Sequence, residues 1–420
     1  VSKERYLDAI ARAGFEEIDV IGESDFPLDC MTNDPTGQAI LIALEGLPEE
    51  IKKVEGSISS LKVSAGKPGP YIGGYEARGD EMIEIDGSYG EGGGQIVRTS
   101  VALSAVTGKS VLIKKIRQGR PKPGLAPQHA QAIRALGQIC NAEVKGAEPG
   151  SSEVLFCPQE ICGGNRRVEI GTAGSVTLLM QCLLPALLHA EKRTSLHVQG
   201  GTDVQWSPTV DYFRNVFLPA LSFFDGKARL ELLRRGYYPR GQGEVLLEVE
   251  PSHLKPAHIS YEPFNPAHNR IMGISHCSNL PQHVAERQAA SAIERLQEAG
   301  YEAEILQETG RLASTGSGIT LWTAGKGASS LGERGLPAEK VGRRAAEEMI
   351  LELESPAAVD EHLADQLIPY LALAGGSYTV REISLHTKTN IWTAGHFLEA
   401  KFEIRAKEGI FSIECSMDDN

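Results

Sequence analysis

Three stretches of the chain carry residue types suited to phosphate chemistry. The first is Gly90-Glu-Gly-Gly-Gly-Gln95, with Arg98 three residues on. Consecutive glycines let backbone N–H groups approach phosphate oxygens, and a helix starting there adds its positive end. A glutamate in such a loop repels phosphate unless it holds a cation, so Glu91 is a candidate ligand for Mg2+ or Mn2+. The loop lacks the Gly-Lys-Ser/Thr ending of a Walker loop, and a plain glycine turn with a solvated glutamate fits the residues as well. The second stretch runs from Arg117 to His129. Prolines stiffen it, Arg117, Arg120 and Lys122 supply cationic donors, and Gln128 and His129 follow at a helix start. The third is His386 in Ser384-Leu-His-Thr-Lys-Thr-Asn390. A neutral imidazole attacks phosphorus near pH 7, where an unactivated hydroxyl does not. A lone histidine is more often structural, and the segment reads as a strand or the end of one.

These residues need elements to hold them. Residues 82–261 alternate strand, glycine turn and helix: IEID, then GSYGEGGG, then QIVRTSVALSAVTG; RVEI, then GTAGS, then VTLLMQCLLPALL. Both copies put glycines between a strand and a helix start, a weak internal repeat. QHAQAIRALGQIC is an amphipathic helix. Near residue 262 the texture changes to two long helices and a strand, and near 358 the first texture returns. That pattern predicts a small α/β domain at 262–357 inserted into a larger one. Residues 69–81 are rich in glycine, proline and charge and read as a linker. Residues 1–68 begin with helical periodicity at Tyr6, Ile10 and Phe15. The segment Arg234-Arg-Gly-Tyr-Tyr-Pro-Arg240 mixes cations with rings. It fits bases stacking beside phosphates, or equally a β-hairpin with packed tyrosines.

Charge is distributed unevenly. The chain has 420 residues, 55 acidic and 42 basic, for a formal net charge of −13. This excludes a histone-like polycation, and an apolar share of 41% excludes a disordered chain. Yet no acidic residue stands between Arg98 and Ala142, which carry Lys109, Lys114, Lys115, Arg117, Arg120, Lys122 and Arg134. One basic surface on an acidic protein suits a phosphorylated ligand, although a solvated face has the same composition. Seven scattered cysteines do not read as a disulfide framework. Cys157-x4-Cys162 has no second pair to complete a zinc site. The longest apolar run, Val176–Ala190, is interrupted by Gln181 and Pro185 and falls short of a membrane span. A soluble, reduced, cytoplasmic protein is the expectation.

Taken in order, the motifs resemble those of RNA 3′-terminal phosphate cyclases. They are Ile85-Asp-Gly-x-x-Gly-Glu-Gly-Gly-Gly-Gln95, the Arg117–His129 segment, Gly171-Thr-Ala-Gly-Ser175, Gly200-Gly-Thr-Asp203, Gly236-Tyr-Tyr-Pro-Arg240-Gly, Glu361-His-Leu-Ala-Asp-Gln366 and His386-x-x-x-Asn390. The resemblance covers 82–416. It implies an α+β fold in which three βαβαββ-type repeats, like the C-terminal domain of a translation initiation factor, make the larger domain at 82–261 and 358–416. The small α/β domain at 262–357 is inserted before the last repeat.

The resemblance also implies a ligase-type activity. ATP and a divalent metal would convert an RNA 3′-phosphate to a 2′,3′-cyclic phosphate through a histidine–AMP adduct on His386 and an RNA 3′-adenylate. By motif position, Glu91 would bind the metal. Gln95, Arg98 and Gln181 would contact ATP phosphates, and Pro208, Tyr212 and Asp365 would surround the adenosine. Arg117, Arg120, Gln128 and His129 would hold phosphate of ATP or of the RNA end. The alternative is a non-catalytic, cyclase-like RNA-binding assembly factor; those relatives lack the nucleophilic histidine. Residues 1–68 look instead like the C-terminal tail of arsenite methyltransferases, with Cys30 at an arsenic-binding position, and three thiolates could not come from Cys30 alone. The residues do not specify the oligomeric state.

Overall fold

A computed structural model describes residues 3–12, 16–25, 59–66, 82–265 and 270–417. The chain divides into two compact units, Val1–Tyr71 and Ile72–Asn420. The first holds helix α1 (Lys3–Arg12) and an antiparallel pair, β1 (Glu16–Asp25) and β2 (Ser59–Gly66). Cys30 and the segment between these strands lie outside the described residues.

The second unit is mixed α+β. Its first stretch runs β3 (Ile83–Asp86), α2 (Gly94–Thr107), β4 (Val111–Lys114), α3 (Pro127–Ile139), β5 (Glu143–Lys145) and β6 (Val154–Cys157). The next runs β7 (Asn165–Glu169), α4 (Val176–Leu188) and β8 (Thr194–Gly200). A helical run, α5, follows as Val210–Tyr212, a π-type turn at Phe213–Phe217, and Leu218–Ser222; then come β9 (Lys227–Arg234) and β10 (Gly243–Glu250). The strands form sheets ordered β3-β4-β6-β5 and β7-β8-β10-β9. In each, the first two strands are parallel, joined through a helix, and the last two are an antiparallel hairpin.

Strand β11 (Ala257–Ile259) opens a third sheet, and the chain then leaves it. β12 (Ile271–Ser278), α6 (His283–Glu298), β13 (Ala303–Gly310), β14 (Gly316–Thr323), β15 (Lys326–Leu331) and α7 (Ala338–Glu354) form a separate sheet, ordered β13-β12-β14-β15, with its own core. The chain returns with α8 (Glu361–Ala374), β16 (Gly376–Val380), α9 (Leu385–Phe397), β17 (Ala400–Lys407) and β18 (Ile410–Met417), completing the order β11-β16-β18-β17.

Local sequence explains the positioning elements. β8 and β10 alternate buried and half-buried residues, the period of a strand with one face on a core. α4 is apolar nearly all round and is buried accordingly; the Ser175 side chain accepts the Leu178 N–H to start it. α2 packs against both α4 and α9, so helices from all three sheets meet. Thr99 on α2 donates to Asn390 on α9 at 2.7 Å, and Asn390 donates to the Asp365 carbonyl on α8 at 2.8 Å.

Buried polar links tie the separate sheet to the rest. Arg235, 7% exposed, meets Asp203 at 3.3 Å, Asp211 at 2.7 Å and Glu308 of β13 at 2.8 Å. His276 of β12 lies 3.4 Å from Asp203 and shares a 2.8 Å hydrogen bond with the Tyr237 hydroxyl. Asp360 accepts from the Tyr212 hydroxyl at 2.7 Å, the Gly327 N–H at 2.8 Å and the Leu363 N–H at 2.8 Å. The Asp360 carboxylate thus caps α8 and holds β15 at the same time.

Candidate active site

A cavity of about 800 Å³ opens where α2, α4, α8 and α9 converge, within the range of small-molecule sites. One end is built on the glycine loop. Gly90 and Gly92 have φ of 62° and 54°, which turns the chain so that Gly93 and Gly94 face the cavity. Gly93 precedes α2 with no side-chain cap, leaving the first N–H groups of the helix for a ligand. A Cβ on Gly94 would lie 2.0 Å from His129 Nε2, so any other residue there would force that ring to move.

His386 also faces the cavity. The expected strand is corrected here: His386 sits in the first turn of α9, because the Ser384 side chain accepts the Thr387 N–H at 3.0 Å and starts a helix. Its Nδ1 is 3.3 Å from Glu91 Oε2. Glu91 Oε2 also meets Arg120 at 3.2 Å. Burial lowers the imidazole pKa and the Glu91 charge opposes this, while Arg98, His362 and Arg120 push it down further. The lowered pKa favours the neutral ring, and in that form, with Nδ1 turned toward Glu91, its Nε2 keeps a lone pair.

Around this pair the walls are cationic and amide-rich. Arg98, Arg117 and Arg120 line the cavity. Burial lowers the Arg98 and Arg117 pKa values, yet a guanidinium keeps its charge. Arg117 donates to the Gly124 carbonyl at 3.0 Å, which fixes its direction. Burial, with Arg98 and Arg117, lowers the His129 pKa to about 3, so this ring is neutral. His129 Nδ1 and Gln95 Oε1 are buried without hydrogen-bond partners. The Gln128 side chain accepts the Ser175 N–H at 3.3 Å, and Gln181 donates to Gln366 at 2.6 Å.

The other end is less charged. Pro208 accepts from Thr177 at 2.8 Å through its carbonyl, and buried Tyr212 closes that side with its hydroxyl committed to Asp360. Asp365 lines the cavity as well, and burial raises its pKa to about 7. The residues assigned to ligand contact by motif position all line this one cavity, namely Glu91, Gln95, Arg98, Arg117, Arg120, Gln128, His129, Gln181, Pro208, Tyr212, Asp365 and His386, whereas Lys122 of the second phosphate-type stretch does not.

Other features differ from the sequence picture. The Arg234–Arg240 cluster is not on the cavity wall; it lies at the turn between β9 and β10, with Tyr237 buried and Tyr238 exposed. Trp206 and Arg344 do line the cavity, and no spacing signal marked them. Among the described residues, the group of donors close enough to share a metal ion is Asp203, Asp211 and His276. Arg235 already brings its positive charge against both of those carboxylates. Glu91, beside the phosphate-type donors, instead resembles the sparse carboxylate ligation of Mg2+, which takes its remaining ligands from water and substrate phosphates. No helix among the described residues is long and apolar enough to cross a membrane.

A family model described as RNA 3′-terminal phosphate cyclase matches residues 89–404. A Methanosarcina acetivorans protein of that name is 55% identical over 79% of this chain and 99% of its own length. An Archaeoglobus fulgidus protein of the same name is 54% identical over 77% of this chain and 98% of its own length. One from Pyrococcus furiosus is 48% identical over 78% and 96%.

Proposed function

We propose, on the premise that the chain belongs to the RNA 3′-terminal phosphate cyclase family, that it converts RNA 3′-phosphate ends to 2′,3′-cyclic phosphates at the expense of ATP. The observation that carries the reading is His386, with its Nδ1 3.3 Å from Glu91, in a cavity walled by Arg98, Arg117 and Arg120.

The chemistry runs in three displacements. His386 Nε2 attacks the α-phosphorus of ATP; a P–N bond forms, the bond to the β-phosphate oxygen breaks, and pyrophosphate leaves. Glu91 accepts the Nδ1–H hydrogen bond and offsets the positive charge growing on the ring. An oxygen of the RNA 3′-phosphate then attacks the same phosphorus, the P–N bond breaks, and imidazole is restored. Finally the neighbouring 2′-hydroxyl attacks the terminal RNA phosphorus, loses its proton, and displaces AMP. Each step moves charge on a polyanion, so positioning and neutralisation by arginines and the α2 N-terminus supply most of the catalysis. A divalent cation bound by Glu91 would add Lewis-acid neutralisation of the phosphates. Gln95, Arg98 and Gln181 suit the triphosphate; Arg117, Arg120, Gln128 and His129 suit phosphate of ATP or of the RNA end. Pro208, Tyr212 and Asp365 form the less charged wall suited to adenosine. Three sheets with one strand order support the repeat architecture inferred for the larger domain, and a separate core supports the insert at 262–357.

The test is incubation with ATP labelled at the α-phosphate and Mg2+. Acid-labile AMP on the protein, lost in His386→Ala, is the expected result. RNA binding without any labelling would refute the enzyme and favour a non-catalytic RNA-binding factor.

A further inference from the structure

Trp206 is 93% exposed, yet it borders the cavity. Its backbone has φ 60°, a left-handed conformation that a bulky residue rarely takes and that points to a local function. The loop bearing it is fastened on both sides. Gln205 donates to Glu333 at 2.8 Å, the Ser207 hydroxyl donates to the Val204 carbonyl at 2.9 Å, and Thr177 holds the Pro208 carbonyl. The indole is therefore presented to solvent on a fixed support rather than packed. Arg344, from α7 of the separate sheet, lines the same cavity and is exposed. It has no carboxylate partner among the described residues. An exposed ring on a braced loop and an uncommitted guanidinium are the pair that single-stranded nucleic acid uses, one for a base and one for a phosphate.

We propose that Trp206 and Arg344 form the subsite for the end of the RNA, the indole stacking on the 3′-terminal base and Arg344 meeting the phosphodiester on its 5′ side. The proposal rests on the cyclase reading of the cavity. The competing source of a stacking base is the adenine of ATP. The RNA base is favoured because the ring is 93% exposed at the open rim, whereas Tyr212, at 2%, marks the enclosed part of the cavity. Trp206 also packs against nothing that its removal would expose.

The experiment is tryptophan fluorescence of the full chain, titrated separately with a 3′-phosphorylated oligoribonucleotide and with ATP. RNA alone should quench, ATP alone should not, and Trp206→Phe should remove the quench while Trp322 and Trp392 still emit. Trp206→Ala should raise the RNA KM by about 5- to 150-fold, and Trp206→Phe, which keeps a ring, by less. Arg344→Ala should reduce the salt dependence of RNA binding by about 0.7 in the log–log slope. Wild-type RNA affinity in Trp206→Ala, or a Trp206-dependent quench by ATP alone, overturns the proposal. If wild-type protein neither takes up AMP nor cyclises RNA, the cyclase reading fails, and the quench still decides the fate of Trp206.

Discussion

Replacing Glu91 by glutamine tests the core of the site with a sign as well as a size. Glu91 Oε2 faces His386 Nδ1 at 3.3 Å and Arg120 at 3.2 Å. In the proposed attack of the imidazole on phosphorus, Nδ1 becomes the donor of a cationic ring, and a charge-assisted contact of that kind contributes about 1.5–3 kcal/mol. The His386 side chain is 43% exposed, so water screens the pair and the low end applies: about a ten-fold loss in the rate of AMP uptake. The pH profile gives the sign. The Glu91 charge raises the His386 pKa against burial, and Glu91→Gln removes it and frees the repulsion of Arg120. Both changes lower the pKa, so the acid limb of kcat/KM for adenylation should move to lower pH even as the rate falls. Stopped single-turnover labelling across the acid range measures both. An unchanged rate, or an acid limb that moves upward, would refute the pairing of Glu91 with the nucleophile.

Three further outcomes follow from the same geometry. Arg235→Ala strands the buried Asp203 and Asp211 carboxylates and should cost about 3–5 kcal/mol in denaturant unfolding, far more than a surface arginine. Gly94→Ala puts a Cβ 2.0 Å from His129 Nε2, so the ring must shift; displacement by about 1 Å at such a site costs roughly 100-fold, read as AMP uptake in protein that retains its circular dichroism. Asp365 has its pKa raised by burial from 3.8 to about 7, so the folded state holds its proton longer than the unfolded one and loses stability as pH rises through that window. Asp365→Asn should therefore gain in melting temperature over wild type between about pH 4 and 7, with the gain level above that; a gain independent of pH would contradict the burial argument.

What was legible in the sequence had local causes. The glycine loop before α2 and the run of apolar residues in α4 follow from backbone freedom and periodicity, and both stand where the chain order put them. The segment around His386 reads as a strand because Thr387, Thr389, Ile391 and Trp392 carry strand-type side chains, while one serine cap makes it a helix. The family motifs named residues far apart in the chain, and the structure brings them to one cavity; that makes them neighbours, and their separate roles still rest on the proposed chemistry. The ion pairs of Arg235 were not readable, since Asp203 and Glu308 lie 32 and 73 residues away in the chain and no local pattern predicts such a meeting. Trp206 and Arg344 carried no spacing signal for the same reason: their importance comes from a wall assembled by tertiary packing.

Arg235 and Asp360 together make the lobe at 271–354 inseparable from the body that surrounds it. Excising the lobe and rejoining the chain would withdraw Glu308, His276 and Gly327 at one stroke, opening the Arg235 cluster and the Asp360 carboxylate to water and removing the cavity wall that carries Arg344. A minimal version of this protein is therefore reached only by redesigning those anchors to apolar residues first, and comparing lobe-deleted chains with and without that redesign would measure how firmly the anchors bind the two parts.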